Sequence, residues 1–511
     1  MSESNGAKVQ YPDNRWLILA IMSLSLVIVM LNNVTLNVAL PELSKDLNAD
    51  NSELQWIMDS YALVFGGSLL VMGALGDRFG RKGALQIGLV MVGAASAWTA
   101  KFADSSTDVI IARATMGLGA ALVMPSTLSV VLVVFPPNER GKAIGIWAAM
   151  AGVGAPIGLL VGGWAVENYD WAMVFWINVP IIILALIAGA IIVPKSKDKE
   201  QRPLDIGGAI LSVIALASLL YGIIEGPSLG WTDENVLISF AVAIISVIAF
   251  IKWQKRTEYP LLPMEFFRNN GYTLGLIAIA LAFFVMFSFM FMQMLHFQLV
   301  RGLSPFSAAI RFFPLPMGLM PAAANSDRLV AKFGRPNVIT TGLILVAAGL
   351  FLFTLVEVET SYWQIAATFV LLGLGMGLTM APSTTAVMDA IPESKAGVGS
   401  ATNDASREIG GALGIAIGGS VLNQVYQSAV IIPTSAPNAG LIESSFPAAI
   451  KIGQQMLAAG NQEGALLIAS ARDAFVEGMV GACIVAGCVA LIAAFLVKWK
   501  MPEDEVIDSE K

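Results

Sequence analysis

Gly73-Ala74-Leu75-Gly76-Asp77-Arg78-Phe79-Gly80-Arg81-Lys82 lies between two apolar runs, residues 53–72 and 83–102. Three cations and a carboxylate do not sit in hydrocarbon, so this turn faces water. Short loops rich in Arg and Lys stay on the cytoplasmic side of a membrane. Once this loop is placed, every other span has an orientation. The turn also has an altered echo at residues 327–336, at an offset of 254, as in a duplicated chain. Leu329, Lys332, Phe333, Gly334 and Arg335 match the first copy in type, whereas Ala331 replaces Asp77. That loss predicts a weaker contact in the second copy.

The rest of the chain has the composition that such a loop requires. It holds 511 residues, 56% hydrophobic and 13% charged, against about 25% charged in average soluble chains. The apolar residues come in blocks of about 20, the length that crosses a bilayer as helix. The blocks fall near 15–40, 53–72, 83–102, 108–133, 142–165, 172–194, 205–224, 234–253, 272–297, 306–326, 337–356, 363–386, 397–424 and 475–498. The fold class is therefore an all-α polytopic membrane protein with fourteen transmembrane helices. The first block ends at Pro41 without a small-residue cleavage signal and reads as a retained span. With a cytoplasmic N-terminus, roughly 22 Lys/Arg fall in inner segments and about 5 outside, the expected bias. The richest inner segments are 195–202, 252–268 and 328–335. The expected location is the cytoplasmic membrane, with both termini inside. Cys483 and Cys488 share the last block and point in different directions on a helix, which excludes a disulfide framework and argues against a metal pair.

The duplication reaches beyond the loops. Gly117-Leu118-Gly119 with Pro125-Ser126-Thr127 matches Gly373-Leu374-Gly375 with Pro382-Ser383-Thr384. Gly154, Gly158, Gly162 and Gly163 match Gly410, Gly414, Gly418 and Gly419. Spans 1–6 and 9–14 thus read as two six-helix bundles related by a parallel repeat, a transporter arrangement. Spans 7 and 8 are an insertion. The expected units are 1–204, 205–270 with a cytoplasmic linker, and 271–511 with an external segment at 425–473. In that segment, 448–471 reads as a weakly amphipathic helix.

These motifs resemble the major facilitator superfamily, in its 14-helix drug:proton antiporter branch. The resemblance rests on the loop at 73–82, on Arg113 ahead of Gly117-Leu118-Gly119, and on Gly152-Val153-Gly154-Ala155-Pro156-Ile157-Gly158. It also rests on Phe175-Trp176-Ile177-Asn178-Val179-Pro180. Trp56-Ile57-Met58-Asp59-Ser60-Tyr61 resembles the second span of members that export quaternary ammonium compounds. The resemblance implies alternating access driven by the proton gradient, with no cofactor. It implies gating by Gly73, Asp77, Arg78, Gly80 and Arg81 on the inner face. It also implies a seal around Gly154, Pro156 and Gly158. The family pattern has Asp where this chain has Asn32, so a proton site in span 1 is absent here.

The residues support the same chemistry by themselves. A carboxylate inside a span is expensive and marks function. Asp59 lies roughly 9 Å below the outer surface, at 1.5 Å per residue. Asp404 and Glu408 share one helix face with Arg407 beside them, and Glu408 falls near the midplane. Burial disfavours a carboxylate's charge and a nearby guanidinium favours it. A group held between those effects can take up a proton on one side and release it on the other. A lipophilic cation can compete for the same carboxylate. Asp59, Tyr61, Asn32 and Arg113 are the expected partners in the first bundle. Asp404–Arg407–Glu408 also reads as an ion pair that merely holds span 13.

Span 9 carries a run of Phe and Met from Phe283 to Met294 that reads first as lipid-facing, and the only histidine, His296, reads as interfacial. No Gly-x-x-x-x-Gly-Lys-[Ser/Thr] phosphate loop occurs, so nucleotide-driven transport is not expected. No metal or nucleic-acid partner is expected, the oligomeric state stays open, and no catalytic residue stands out. The competing readings are a same-fold exporter of a lipid, siderophore or metabolite, and a polytopic membrane enzyme or scaffold.

Overall fold

The computed structural model describes residues 11–47, 51–196 and 203–502, and all regular structure among them is helical. Most of the basic run at 195–202 and both chain ends lie outside the described residues. The first bundle holds α1 (Arg15–Val34), α2 (Leu36–Asp46), α3 (Asn51–Phe79), α4 (Arg81–Phe102), α5 (Ser106–Val134), α6 (Pro137–Asn168), α7 (Ala172–Trp176) and α8 (Asn178–Ile192). The insertion holds α9 (Ile206–Leu229) and α10 (Glu234–Gln254). The second bundle holds α11 (Asn270–Leu295), α12 (Pro305–Ile310), α13 (Pro314–Phe333), α14 (Arg335–Phe353), α15 (Tyr362–Asp389) and α16 (Ala396–Ala429). It continues through α17 (Ala439–Ser444) and α18 (Phe446–Ala458) to α19 (Glu463–Lys500).

Among the described residues, 13 helical segments are long and apolar enough to cross a membrane. Helix α13 is the fourteenth, made more polar by Asn325, Asp327, Arg328 and Lys332 in its second half. Three predicted spans are broken rather than straight. Thr35 bonds back to Leu31 O at 2.6 Å and separates α1 from α2. Pro180 has no N–H for the carbonyl of Trp176, and the sixth span breaks at Ile177. Pro314 starts α13 afresh after α12. Helix starts elsewhere follow local chemistry. Ser105 and Asp108 cap α5 reciprocally, and Asn269 caps α11.

The same helix pairs recur in both bundles. The contacts of α3 with α5, α4 with α5 and α1 with α6 repeat as α13 with α15, α14 with α15 and α11 with α16. Without a hydrophobic drive between helices in lipid, close backbone approach at small residues supplies the attraction. A Cβ on Gly88 would lie 2.5 Å from Gly119 O, and one on Gly342 would lie 2.7 Å from Gly375 O. Gly117 abuts the Tyr61 carbonyl as Gly373 abuts that of Leu315. Gly154 sits against Met30 on α1, and Gly410 against Ala280 on α11.

The bundles meet along two seams, α3 with α16 and α6 with α13. The insertion covers the first. Leu220 and Ala217 of α9 fill the faces left by Gly66 and Gly67, and Trp231 bonds Ser420 at 3.3 Å. Helix α10 packs on α9. The foot of the insertion is pinned by Asp205, which accepts from Gly208 N (2.8 Å), Trp253 Nε1 (2.7 Å), Gln254 Nε2 (2.6 Å) and Leu261 N (3.2 Å). Burial opposes charge on that carboxyl, yet these bonds win and hold it below its ordinary value.

Residues beyond α16 form a helical hairpin instead of one helix through 448–471. Gly460, at φ +82°, ends α18 and lets the chain turn. Helix α19 then runs for 38 residues, roughly 57 Å at 1.5 Å per residue, so its first part stands beyond a bilayer core of about 30 Å. Phe446 and Phe475 stack 4.2 Å apart to close the hairpin.

The glycine contacts make a discriminating test. Valine at Gly414 would overlap the Phe284 carbonyl, whereas Gly419 has nothing within 4 Å of its missing Cβ. Gly414→Val should cost about 1–3 kcal/mol as overpacking, read as a lower melting temperature in detergent, and Gly419→Val should melt like the parent. Equal melting of the two variants would refute the close α11–α16 crossing.

Candidate functional site

Three groups of charged side chains are buried at or near the seams. The first is built on α5. Arg113 is 1% exposed. Its Nη1 donates to Asn32 O at 2.7 Å and its Nε to Ile57 O at 3.1 Å. The guanidinium lies 4.4 Å over the Tyr61 ring, and Tyr61 donates to Val29 O at 3.1 Å. Asn32 in turn donates to Ile28 O and accepts from Asn178 at 3.4 Å. Arg113 therefore ties α1, α3 and α5 together through backbone carbonyls. Asp59 is half-buried and within electrostatic reach of Arg113.

The second group is built on α16. Asp404 is 0% and Arg407 1% exposed. Their closest approach, Nη1 to Oδ1, is 3.7 Å, an ion pair without a hydrogen bond. Asn403 donates to Asp404 Oδ1 at 3.3 Å, and Arg407 Nη2 donates to Thr384 Oγ1 at 3.5 Å. The guanidinium sits 4.6 Å from the Trp147 ring centre and 5.2 Å from that of Phe283. Trp147 belongs to α6 and donates to Thr127 at 3.1 Å. Phe283 belongs to α11. Glu408, half-buried, lies within electrostatic reach of Arg407 and of Tyr61, and its Cβ faces Gly66 on α3. The acids of the second bundle thus border the first at the α3–α16 seam.

The third group sits at the end of the molecule that carries the turn at Gly80. That turn needs φ +121°, a conformation that glycine alone adopts easily. Helix α3 ends there with Gly73 so close to α16 that a Cβ would lie 2.5 Å from Gly397 O. Asp77 accepts from Gly397 N at 2.7 Å and Val398 N at 3.2 Å, the unsatisfied first amides of α16. Arg81 bonds Asp77 at 2.9 Å and Glu393 O at 2.6 Å. Arg140 pairs with the Glu393 carboxylate. Arg78 stands apart, over the Phe79 ring at 5.3 Å.

The second seam holds a carboxylate of its own, at the position that the repeat pairs with Gly73. Ala331 carries no charge, but Asp327, one turn earlier on α13, presses its carboxylate against Gly141 near the start of α6. A Cβ on Gly145 would likewise lie 2.5 Å from Ala323 O. Gly141 stands to Asp327 as Gly397 stands to Gly73 in the repeat. Pairing Gly141 with Gly397 in the repeat would have revealed it. Further along this seam, Pro156 lines an apolar cleft of about 320 Å³ with Val153, Ile157, Phe313, Met317 and Pro321. Gly158 packs against Leu31 and Thr35 of α1.

Trp147 and Glu393 carry no mark in the sequence that singles them out, and Thr384 stands out there only as part of the repeat. Phe283 was read as lipid-facing, yet it and Phe284, Met286, Phe289 and Met292 are buried. His296 is buried too, in a π-helical turn, with Gln293 donating to its Nδ1 at 2.9 Å.

Comparison with known proteins gives this arrangement a family. Residues 22–415 match the family model of the Major Facilitator Superfamily. The chain is 32% identical to the multidrug efflux pump LfrA of Mycolicibacterium smegmatis, over 97% of this chain and 98% of that one. It is 31% identical to the methyl viologen resistance protein SmvA of Salmonella typhimurium, over 94% and 97%. The human organic anion transporter MFSD10 shares the fold, at a TM-score of 0.60 and 14% identity, covering 96% of this chain and 100% of that one. The proton:xylose symporter XylE does so at 0.57 and 15%, covering 96% of each. The chain belongs to the major facilitator superfamily, in its drug:proton antiporter branch.

Proposed function

We propose that this protein exports lipophilic cations across the cytoplasmic membrane in exchange for protons, by rocking one bundle against the other. The observation that carries the reading is the pair Asp404–Glu408, two acids set around one guanidinium where the bundles touch. As the seam opens toward either side, those acids change solvent. A proton and a greasy cation then compete for the same negative charge. Relatives with efflux and resistance names support small toxic molecules as cargo. The bias of Arg and Lys supports the Gly80 end, and both termini, as cytoplasmic. The moving bodies are residues 1–204 and 271–511, with 205–270 riding on the α3–α16 seam. In this scheme Asp77 and Arg81 latch the cytoplasmic end, Gly73 and Gly80 give the latch its close fit, and Arg78 faces water. Gly154, Pro156 and Gly158 keep α6 sealed during the motion. No enzymatic step is part of the reading.

Cells loaded with ethidium should release it, and an uncoupler should stop the release. Loss of a native compound with no ethidium efflux would instead indicate a lipid, siderophore or metabolite exporter. In proteoliposomes, Glu408→Gln should abolish cation accumulation driven by a pH gradient while leaving downhill exchange measurable. Gradient-driven accumulation at the parent level would discard Glu408 as the exchanging acid.

The latch has its own test. Asp77→Asn removes a charged acceptor of two amides and of Arg81, which should weaken closure by about 1.5–3 kcal/mol. A cysteine at buried Val398 should then react faster with an impermeant maleimide from the cytoplasmic side. An unchanged rate would mean that Asp77 does not hold that end shut.

A further inference from the structure

The buried arginines of this protein are held in different ways. Arg81 bonds a carboxylate at 2.9 Å and a carbonyl at 2.6 Å. Arg113 bonds two carbonyls, at 2.7 and 3.1 Å. Both brace helices through short bonds, although Arg113 Nη2 has no hydrogen-bond partner among the described residues. Arg407 is as deeply buried, but its best hydrogen bond is the 3.5 Å contact with Thr384. Among the described residues its Nε and Nη1 have no hydrogen-bond partner, and neither has Asp404 Oδ2, although the two side chains are only 3.7 Å apart. What does surround the guanidinium is aromatic: Trp147 at 4.6 Å and Phe283 at 5.2 Å. Desolvated faces of this kind attract a weakly hydrated cation. They come from different bundles, so the enclosure is complete only while the bundles are together.

We propose that Arg407 is a tethered stand-in for the cargo: its guanidinium fills an aromatic cation site that the exported compound takes over during transport. The inference rests on the reading of the protein as a cation exporter. When cargo arrives, Arg407 leaves the ring faces and closes the remaining distance to Asp404, satisfying the two groups that now lack partners. Trp147 and Phe283 then receive the cargo, and Glu408 supplies the countercharge. With both acids ionised and Arg407 present, the site carries one net negative charge. It therefore takes one monovalent cation or one proton. The ring faces favour a delocalised or quaternary charge over a compact, strongly hydrated ammonium.

The test uses purified full-length protein in nanodiscs and direct binding of tetraphenylphosphonium. Binding by the parent that falls as pH falls is the precondition; its absence, together with absent ethidium efflux, would sink the export reading and not this one alone. Arg407→Gln should tighten binding about tenfold, whereas Arg407→Lys, whose compact ammonium is a poorer tenant of the ring faces, should fall between the parent and that variant. Equal or weaker binding in a normally melting Arg407→Gln would overturn the proposal. Removing a positive charge would by itself tighten binding, so Trp147→Leu decides the role of the cage. It should weaken binding about tenfold in the Arg407→Gln chain and far less in the parent, where it loosens the competing Arg407 as well. Unchanged binding on adding Trp147→Leu to Arg407→Gln would mean that the rings serve Arg407 only and would also overturn it. If Arg407→Gln does not fold, Trp147→Leu is read in the Arg407→Lys chain, where the tethered cation competes less; weaker binding there is expected and unchanged binding overturns the proposal.

Discussion

Charge inside a bilayer must be compensated, and the way each arginine is compensated decides what it can do. An Arg at a helix centre costs about 2.5–3.5 kcal/mol on insertion scales. A hydrogen bond to a charged group returns about 1.5–3 kcal/mol. Arg113 has two such bonds, both to backbone, which fix its orientation although Nη2 lacks a hydrogen-bond partner among the described residues. Arg407 relies on two ring faces, each contributing about 2 kcal/mol when desolvated, and on an ion pair at 3.7 Å. These contacts are comparable in size with Arg113's two bonds, but ring faces and a long ion pair do not fix the guanidinium in one orientation. A side chain in that position can exchange partners without a large barrier in free energy. Arg81 represents a third case, locked to Asp77 and to Glu393 O at the end of the molecule, a lock that the proposed cycle must break to open the seam.

Backbone contact at glycine gives the bundles their rigidity and the seams their precision. Within each bundle, Gly88 against Gly119 and Gly342 against Gly375 leave no room for a side chain. Between bundles, Gly73 meets Gly397 and Gly145 meets Ala323. These crossings sit near the Gly80 end, so that end closes backbone to backbone. The seams are alike in that respect and differ in what covers them. Helix α9 lies over the α3–α16 seam, while the α6–α13 seam opens an apolar cleft beside Pro156 and Pro321. The insertion makes a pseudo-symmetric carrier one-sided.

The spans, the repeat and the turn at Gly80 were legible because each leaves a strong mark: a block of hydropathy, an offset, a glycine beside basic residues. Helix breaks at Thr35 and Ile177 were less visible, since each depends on one side chain bonding back or one proline withholding a donor. The inward face of α11 was not legible at all. Hydropathy records that Phe283 and Met286 avoid water, but lipid and protein replace water equally well. The same blindness hid Trp147, whose partner lies on the other bundle. Asp327 was missed for a different reason. The loops were aligned by residue type, whereas the contact repeats by geometry, through Gly141 and Gly397.

Asn32 shows where the exchangeable charge has gone. In the first bundle, Arg113 and Asp59 offset each other within electrostatic reach, and Asn32 adds hydrogen bonds to Ile28 and Asn178 but no charge. One acid thus stands near one guanidinium there. The second bundle carries two acids around one guanidinium, so any unbalanced charge resides on α16. A carrier needs such an imbalance on the surface that changes solvent, and Glu408, facing Gly66 across the α3–α16 seam, occupies that surface. An aspartate at position 32 would have placed a second imbalance beside Arg113, deep in α1 and away from that seam. With asparagine there, the proposed movement of charge is confined to one helix, and α16 is also the helix whose first amides are gripped by Asp77 of the other bundle. In the proposed cycle the latch therefore holds the very helix that carries Asp404 and Glu408, so releasing Asp77 frees that helix to change its surroundings.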